Sequence, residues 1–160
     1  MASLDVIGAI DNCKTMLSGL TAWQTICGVS SSADSAKRIH LGAIEDDGEQ
    51  TPCPCIILDI DPFSSDWMPS TSHGRLTIEI RIELEIEQDY RGSFVDQYRW
   101  SWTKISAILA GINGVVNGSG QMMVRSITMP IPPGPINPDE NVVGRQYEWG
   151  CVLNLICDFI

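Results

Sequence analysis

Two cysteines separated by a single proline, Cys53 and Cys55, are the residues of this sequence best suited to binding a soft metal ion. Together with His40 and His73 they offer thiolate and imidazole ligands, the types that hold zinc in proteins. A structural zinc site usually needs four convergent ligands, often supplied as two close pairs. The sequence has to provide the second pair for such a site to form.

The second cysteine pair of this sequence is Cys151 and Cys157. They are six residues apart in a segment with strand character, so ~20 Å would separate them. Because one close pair is left, we interpret the six cysteines as small buried thiols and predict no metal and no cofactor. The amino terminus, Met1–Asp5, lacks a basic signal-peptide region, which favours reduced thiols and folding in a cytosol.

A second possible chemistry involves Asp59 and Asp61, two carboxylates on one face at the end of a predicted strand. Metal-dependent transferases hold a divalent cation beside a phosphate in this way. The alternative function of a different class is therefore a small metal-dependent enzyme that uses Asp59, Asp61 and His73. No glycine-rich phosphate loop and none of the common hydrolase or metalloprotease motifs accompanies these residues, so we predict that the protein is not an enzyme.

Acidic residues also form a row along one predicted strand. From Leu76 to Glu87 apolar and polar residues alternate without error, so the strand has one apolar face and one charged face. The acidic members of the charged row are Glu79, Glu83, Glu85 and Glu87. A solvated sheet face explains this row; the functional alternative is the inner wall of a ring that DNA passes through, because acidic walls repel phosphates.

Composition and charge restrict the class of protein. The chain of 160 residues has 44% hydrophobic residues and a formal net charge of −10, which suits one globular domain. Its ten cationic residues are scattered, whereas nucleic-acid binding needs clustered lysine and arginine. No apolar run is long enough to cross a membrane. We therefore predict neither a specific nucleic-acid binder nor a membrane protein.

Apolar periodicity predicts the elements. Spacings of three, four and seven predict one helix from Leu4 to Trp23, ending by Gly28, and a second over residues 93–112. Strands are predicted over residues 54–62, 76–87, 121–129 and 147–159. Residues 29–52 show no clear pattern. These elements predict an α+β fold: a mostly antiparallel sheet with an extended β-hairpin and two helices packed on one face.

Two segments are predicted as loops that carry partner contacts. Residues 63–75 are rich in serine and proline and suit the exposed tip of the hairpin, while the prolines of residues 130–139 exclude a helix or an inner strand. Apolar side chains on exposed loops are typical anchors for protein partners. The candidates are Phe63, Trp67, Met68, Ile131 and Ile136.

The order and length of these elements resemble those of phage tail terminator (tail-completion) proteins. The similarity extends from the Leu4–Trp23 helix, through Cys55–Asp61 and Leu76–Glu87, to Cys151–Phe159. It implies a virion protein of the tail or neck, assembled in the host cytoplasm into a homo-oligomeric, hexameric ring. Such a ring caps the tail tube and ends its polymerisation.

The resemblance also implies the partners: the tail tube protein, a head-completion or neck protein joined at the head-facing surface, and DNA that passes through without specific binding. The family has no catalytic residues to carry over. Another head–tail connector or neck protein of similar size is the nearest alternative, and a cytosolic binding module or chaperone is a third.

Overall fold

The computed structural model describes residues 6–42, 53–61, 66–68, 73–85, 93–112, 122–136 and 148–159. Its helices are α1 (Val6–Gly19), α2 (Thr21–Cys27), α3 (Ser32–Ala36) and α4 (Phe94–Ile112). Its strands are β1 (Ile39–Leu41), β2 (Cys55–Ile60), β3 (Asp66–Met68), β4 (His73–Glu85), β5 (Met122–Ile136) and β6 (Glu148–Phe159). None of the helices in these ranges is both long and apolar enough to cross a membrane.

All strands of the described ranges belong to one sheet with the order β1-β2-β4-β6-β5, and β3 pairs with β4 outside that path. β1 runs parallel to β2, and every other pairing is antiparallel. The predicted α+β class and the mostly antiparallel sheet are therefore confirmed. β1 lies within residues 29–52, where the sequence showed no clear pattern. Its three residues are too few for a periodic signal.

β4 is the central strand and has the alternation that the sequence predicts. Its apolar row is at most 3% exposed: Leu76, Ile78, Ile80, Ile82 and Leu84. On one side β4 pairs with β2, and on the other β6 accompanies it from Gly74 to Glu85. β6 runs beside nearly all of the 13 residues of β4, so β4 does not project alone beyond the sheet.

Helical side chains cover the apolar side of β4 and β6. One core cluster joins Ile80 and Leu153 of these strands to Leu17 and Trp23 of the first two helices and to Ile108 of α4. The Trp23 indole N–H donates to the carbonyl oxygen of Ser35, 3.3 Å away, and so ties α2 to α3. Burial of this continuous apolar surface is the main stabilising contribution to the fold.

The amino-terminal helix was predicted as one element and is two. Leu20 is extended (φ −71°, ψ 123°), so α1 ends at Gly19 and α2 starts at Thr21. A Cβ at Gly111 of α4 would lie 2.9 Å from a methyl carbon of Leu20, so this glycine permits the close approach. With α3, the described chain has four helices where two were predicted.

The proline-rich segment was predicted to be a loop, and this prediction is wrong as far as Ile136. β5 continues through it as the edge strand of the sheet, with register shifts between Val124 and Ser126, Thr128 and Ile131, and Ile131 and Gly134. Proline lacks the N–H that an inner strand must donate, but an edge strand with bulges tolerates it. The exclusion of an inner strand was correct.

The predicted hairpin tip, residues 63–75, is also partly strand. Asp66–Met68 forms β3, which pairs with the His73–Arg75 end of β4. A strand of three residues cannot be predicted from apolar periodicity, because it is too short to show a repeating pattern. By contrast, the predictions of strand 54–62, helix 93–112 and strand 147–159 match β2, α4 and β6.

Replacing Ile80 by alanine tests the role of β4 in the core. Ile80 is 0% exposed, so Ile80→Ala should lower the free energy of unfolding by about 2–5 kcal/mol through lost burial and the cavity left behind. Urea unfolding measures the change. The control is Arg81→Ala on the opposite face, where the exposed pair with Glu79 contributes no more than about 1 kcal/mol. Equal losses in both variants would contradict the assignment of the two faces.

Candidate functional site

The charged face of β4 is more mixed than a row of glutamates. Thr77 is buried at 1% exposure, Glu79 and Glu83 are half-buried, and Arg81 is exposed between them. An Arg81 guanidinium nitrogen lies 3.5 Å from a carboxylate oxygen of Glu79. This ion pair offsets part of the repulsion between neighbouring carboxylates, although both side chains are accessible to water.

Among the residues that the structure describes, Cys53, Cys55 and Glu83 form a close group of potential metal ligands on this face. One ligand atom from each of them lies within 4.8 Å of the other two. The Cys55 thiol donates to Glu83 Oε2 at 3.5 Å, and the Cys53 thiol lies 4.0 Å from the same oxygen. Two sulfur atoms thus converge on one carboxylate oxygen.

Strand register brings these three residues together. Cys55 is the first residue of β2 and is the direct partner of Glu83 in the antiparallel ladder. Ile56, the next residue along, joins the hydrophobic core cluster, so alternation places Cys55 on the Glu83 side of the sheet. Cys53 precedes the strand by two residues, across Pro54, and is half-buried there.

A hydrogen bond with Cys53, burial and neighbouring charge all affect the pKa of the Cys55 thiol. The hydrogen bond with Cys53, the loss of hydration and the nearby Glu83 carboxylate all raise the pKa of the Cys55 thiol well above its ordinary value. The side chain is 0% exposed although it lies outside the main core cluster. The site therefore holds a protonated thiol beside a carboxylate, and a cation would be needed to stabilise a thiolate there.

Sequence reasoning identified the cysteine pair but missed Glu83 as its neighbour. Glu83 is 28 residues from Cys55, and the pattern placed it in an acidic row without indicating which strand lay beside it. The two histidines suggested as ligands are not part of this group. His40 lies on β1, where it is paired with Ile57 of β2, and His73 is at the far end of β4. Only the register of β2 against β4 could have revealed the carboxylate.

The register also separates the residues of the alternative enzyme. Asp59 lies opposite Glu79, six residues along β4 from His73, which corresponds to roughly 20 Å. Asp61 follows the end of β2, where its N–H donates to the Thr77 carbonyl oxygen. The backbone therefore does not gather Asp59, Asp61 and His73 around one cation.

His40 occupies a different environment. Its Nε2 atom is buried and has no hydrogen-bond partner among the described residues. Loss of hydration first, and then the positive charges of Lys14 and Arg38, lower the pKa of the imidazole. His40 is thus held in its neutral form.

The second cysteine pair of the zinc hypothesis lies away from the group formed by Cys53, Cys55 and Glu83. Cys151 and Cys157 lie on the apolar side of β6 within the hydrophobic core. Burial raises the pKa of Cys151 to about 12. These two side chains pack as small hydrophobic groups.

Ile131 is the one predicted partner anchor whose side chain is described, and it is 55% exposed on β5. Trp67, Met68 and Ile136 lie in strands, where the structure describes their backbone positions alone, and Phe63 lies outside the described residues.

The predicted lumen row is described in part. Glu79 and Glu83 are half-buried as given above, and Glu85 is the last residue of β4, described by its backbone alone. Glu87 lies outside the described residues.

No protein-family model matches this chain, and no curated protein matches it at a significant level. The fold and the geometry of its side chains therefore carry the functional argument.

The neutral state of His40 predicts a pH dependence of stability. Its folded-state pKa lies below the unfolded value of about 6.5, so the unfolded chain takes up the proton first as the pH falls. The contribution of neutral His40 to the free energy of unfolding is fully present above the unfolded-state pKa. It is lost as the pH falls from there towards the folded-state pKa.

His40→Gln should therefore lose less stability than the wild type between about pH 7.5 and about pH 5.5. Urea unfolding at both pH values measures this difference. The control variant His73→Gln changes the other histidine of the chain. An unchanged pH dependence in His40→Gln would show that His40 does not contribute.

Proposed function

We propose that this protein is a ring-forming virion subunit of the tail or neck, resembling a tail terminator. The observation that carries the proposal is β4, a strand of 13 residues, roughly 40 Å long, with one buried row and one charged row. A sheet this long presents an extended charged surface that a small domain does not need for its own stability. Side by side in a ring, such surfaces would line a channel.

The pairing of β3 supports an extended hairpin. β2 pairs with β4 over Ile78–Glu83, and β3 pairs with the same edge of β4 over His73–Arg75. β2 and β3 therefore run in the same direction along one edge of β4. This arrangement agrees with the hairpin of the tail terminator family and gives the sheet an end at which a neighbouring subunit or the tail tube protein could bind.

The edge strand β5 supplies a candidate contact between subunits. It has 15 residues, and its prolines remove N–H donors, which disfavours open-ended strand addition. Contacts at this edge are therefore left to side chains such as Ile131, which is exposed. A contact between different surfaces of neighbouring subunits gives a ring when the rotation between them closes, and an open filament when it does not.

The charge of the chain suits a channel for DNA. The net charge is −10, and Glu79 and Glu83 lie on the sheet face proposed to line the lumen. An acidic wall repels phosphates, so DNA passes without binding. The ring would cap the tail tube, stop its polymerisation and present its other surface to a head-completion or neck protein, after assembly in the host cytoplasm.

Light scattering on a sizing column tests the ring. A hexamer should appear near 105 kDa, about six times the 17.5 kDa chain, over a wide range of concentrations. Ile131→Glu should shift the protein towards monomers that keep the wild-type circular dichroism spectrum, because the side chain is exposed in the monomer. The matched control is Ser126→Glu, an exposed position on the same strand, which should leave assembly intact.

One result would contradict the proposed ring, and another would contradict only its contact at β5. One is a monomer at every concentration that also fails to bind the ends of tail tubes in electron micrographs. The other is a closed ring that forms equally well with Ile131→Glu, which would exclude β5 as the contact between subunits.

Charge reversal tests the acidic wall. Glu79→Lys should give the assembled ring a measurable affinity for DNA that falls steeply with salt, because each copy adds a cation to the channel. Fluorescence anisotropy of labelled duplex DNA measures this affinity. Asp11→Lys, the same charge change at an exposed position of α1, is the control and should bind far more weakly. Equal affinities of the two variants would place Glu79 outside the lumen.

A further inference from the structure

We propose that Cys53, Cys55 and Glu83 form a site for a thiophilic divalent cation, zinc in the first instance. Two thiolate sulfurs and one carboxylate oxygen would bind the ion at the start of β2. This proposal is independent of the ring: it rests on side chains within a single chain and would hold for a monomer.

The distances fit a tetrahedral zinc ion. With Zn–S bonds of about 2.3 Å and Zn–O bonds of about 2.1 Å, sulfur and oxygen ligands of such an ion lie ~3.6 Å apart. The sulfur–oxygen distances are 3.5 Å from Cys55 and 4.0 Å from Cys53, both to Glu83 Oε2. All three ligand atoms lie within 4.8 Å of one another. Shifts of a few tenths of an ångström in side-chain position would complete the geometry.

The donor set selects the kind of metal. Calcium and magnesium prefer oxygen ligands, whereas thiolate sulfur favours zinc and copper(I), and the carboxylate favours zinc over copper(I). Binding replaces the two thiol protons, which pass to solvent, with one doubly charged cation. The ion would also offset the negative charge of Glu83 beside a fully buried Cys55.

The described residues supply three of the four ligands that a zinc ion takes. On the other side of β4, Glu83 is paired with Gly150, which has no side chain to cover the carboxylate. Three protein ligands beside a glycine leave room for water or another small ligand at the fourth position. The site joins the segment that precedes β2 to the middle of the sheet, so metal binding should stabilise the fold by mass action.

Metal titration of the reduced full-length protein tests the proposal. Apo protein titrated with Co²⁺ should develop the charge-transfer absorption of cobalt–thiolate bonds and saturate at one ion per chain, and Zn²⁺ should displace the cobalt. The ¹¹³Cd NMR shift of the cadmium form should report two sulfur ligands. Both readouts identify the ligands in the wild-type protein, without relying on a variant that fails to fold.

Substitutions assign the ligands. Cys53→Ser and Glu83→Gln should each weaken Zn²⁺ binding, measured by competition with a chelator, by at least about tenfold, since even loss of an outer-shell partner costs 10–100-fold. The matched control is Cys27→Ser, another half-buried thiol, at the end of α2, and it should bind zinc like the wild type. Zinc should also raise the melting temperature of the wild type and of Cys27→Ser.

Three results would overturn the proposal. The first is weak binding of several ions per chain that the substitutions do not change, which would indicate an adventitious ion only. The second is a cadmium shift characteristic of oxygen ligands alone. The third is normal affinity in Glu83→Gln, since the site would then not include the carboxylate.

Discussion

Burial of the apolar row of β4 is the constraint on which the rest of this structure depends. Five large aliphatic side chains, from Leu76 to Leu84, alternate along one strand and all must leave water on the same side. At about 1.5–3 kcal/mol for each fully buried side chain, this row is a large contribution to the free energy of unfolding. β6 adds a second apolar row alongside, and helical side chains from α1, α2 and α4 cover both rows.

The same constraint determines the chemistry of the opposite face. Of the positions between these apolar residues, Glu79, Arg81 and Glu83 carry charged side chains that tolerate partial exposure, whereas Thr77 is buried. A shift of one residue in the register of β2 would carry Ile56 out of the core and Cys55 into it. The convergence of Cys53 and Cys55 on Glu83 therefore follows from hydrophobic packing on the far side of the sheet. The side chains of the site need not attract one another to meet.

Each edge of the sheet limits pairing with a further strand. β1, at one edge, has three residues, which limits the backbone available to an incoming strand. β5, at the other edge, has 15 residues but also prolines and bulges that interrupt hydrogen bonding. A proline-rich strand can be long without inviting uncontrolled strand addition, and it can still present a side chain such as Ile131 to a partner. This combination suits a subunit that assembles in a closed and limited way.

The sequence by itself determined the elements with complete periodicity. The alternation of β4 and β6 and the helical spacing of α4 were correct because each spans several repeats, so burial on one face leaves an unambiguous pattern. The α+β class followed from these elements. The cysteine pair was also visible in the sequence, because a single residue separates its members.

Only the tertiary structure decided the features that depend on contacts between distant segments. The break at Leu20 reflects packing against Gly111, and the strand pairing of β1 and β3 involves too few residues to leave a pattern. The proline-rich segment forms part of β5 because it lies at an edge of the sheet. A local sequence pattern does not show which strand lies at an edge. The register of β2 against β4 brings Glu83 beside the cysteines, and this register is set by the packing of the whole sheet.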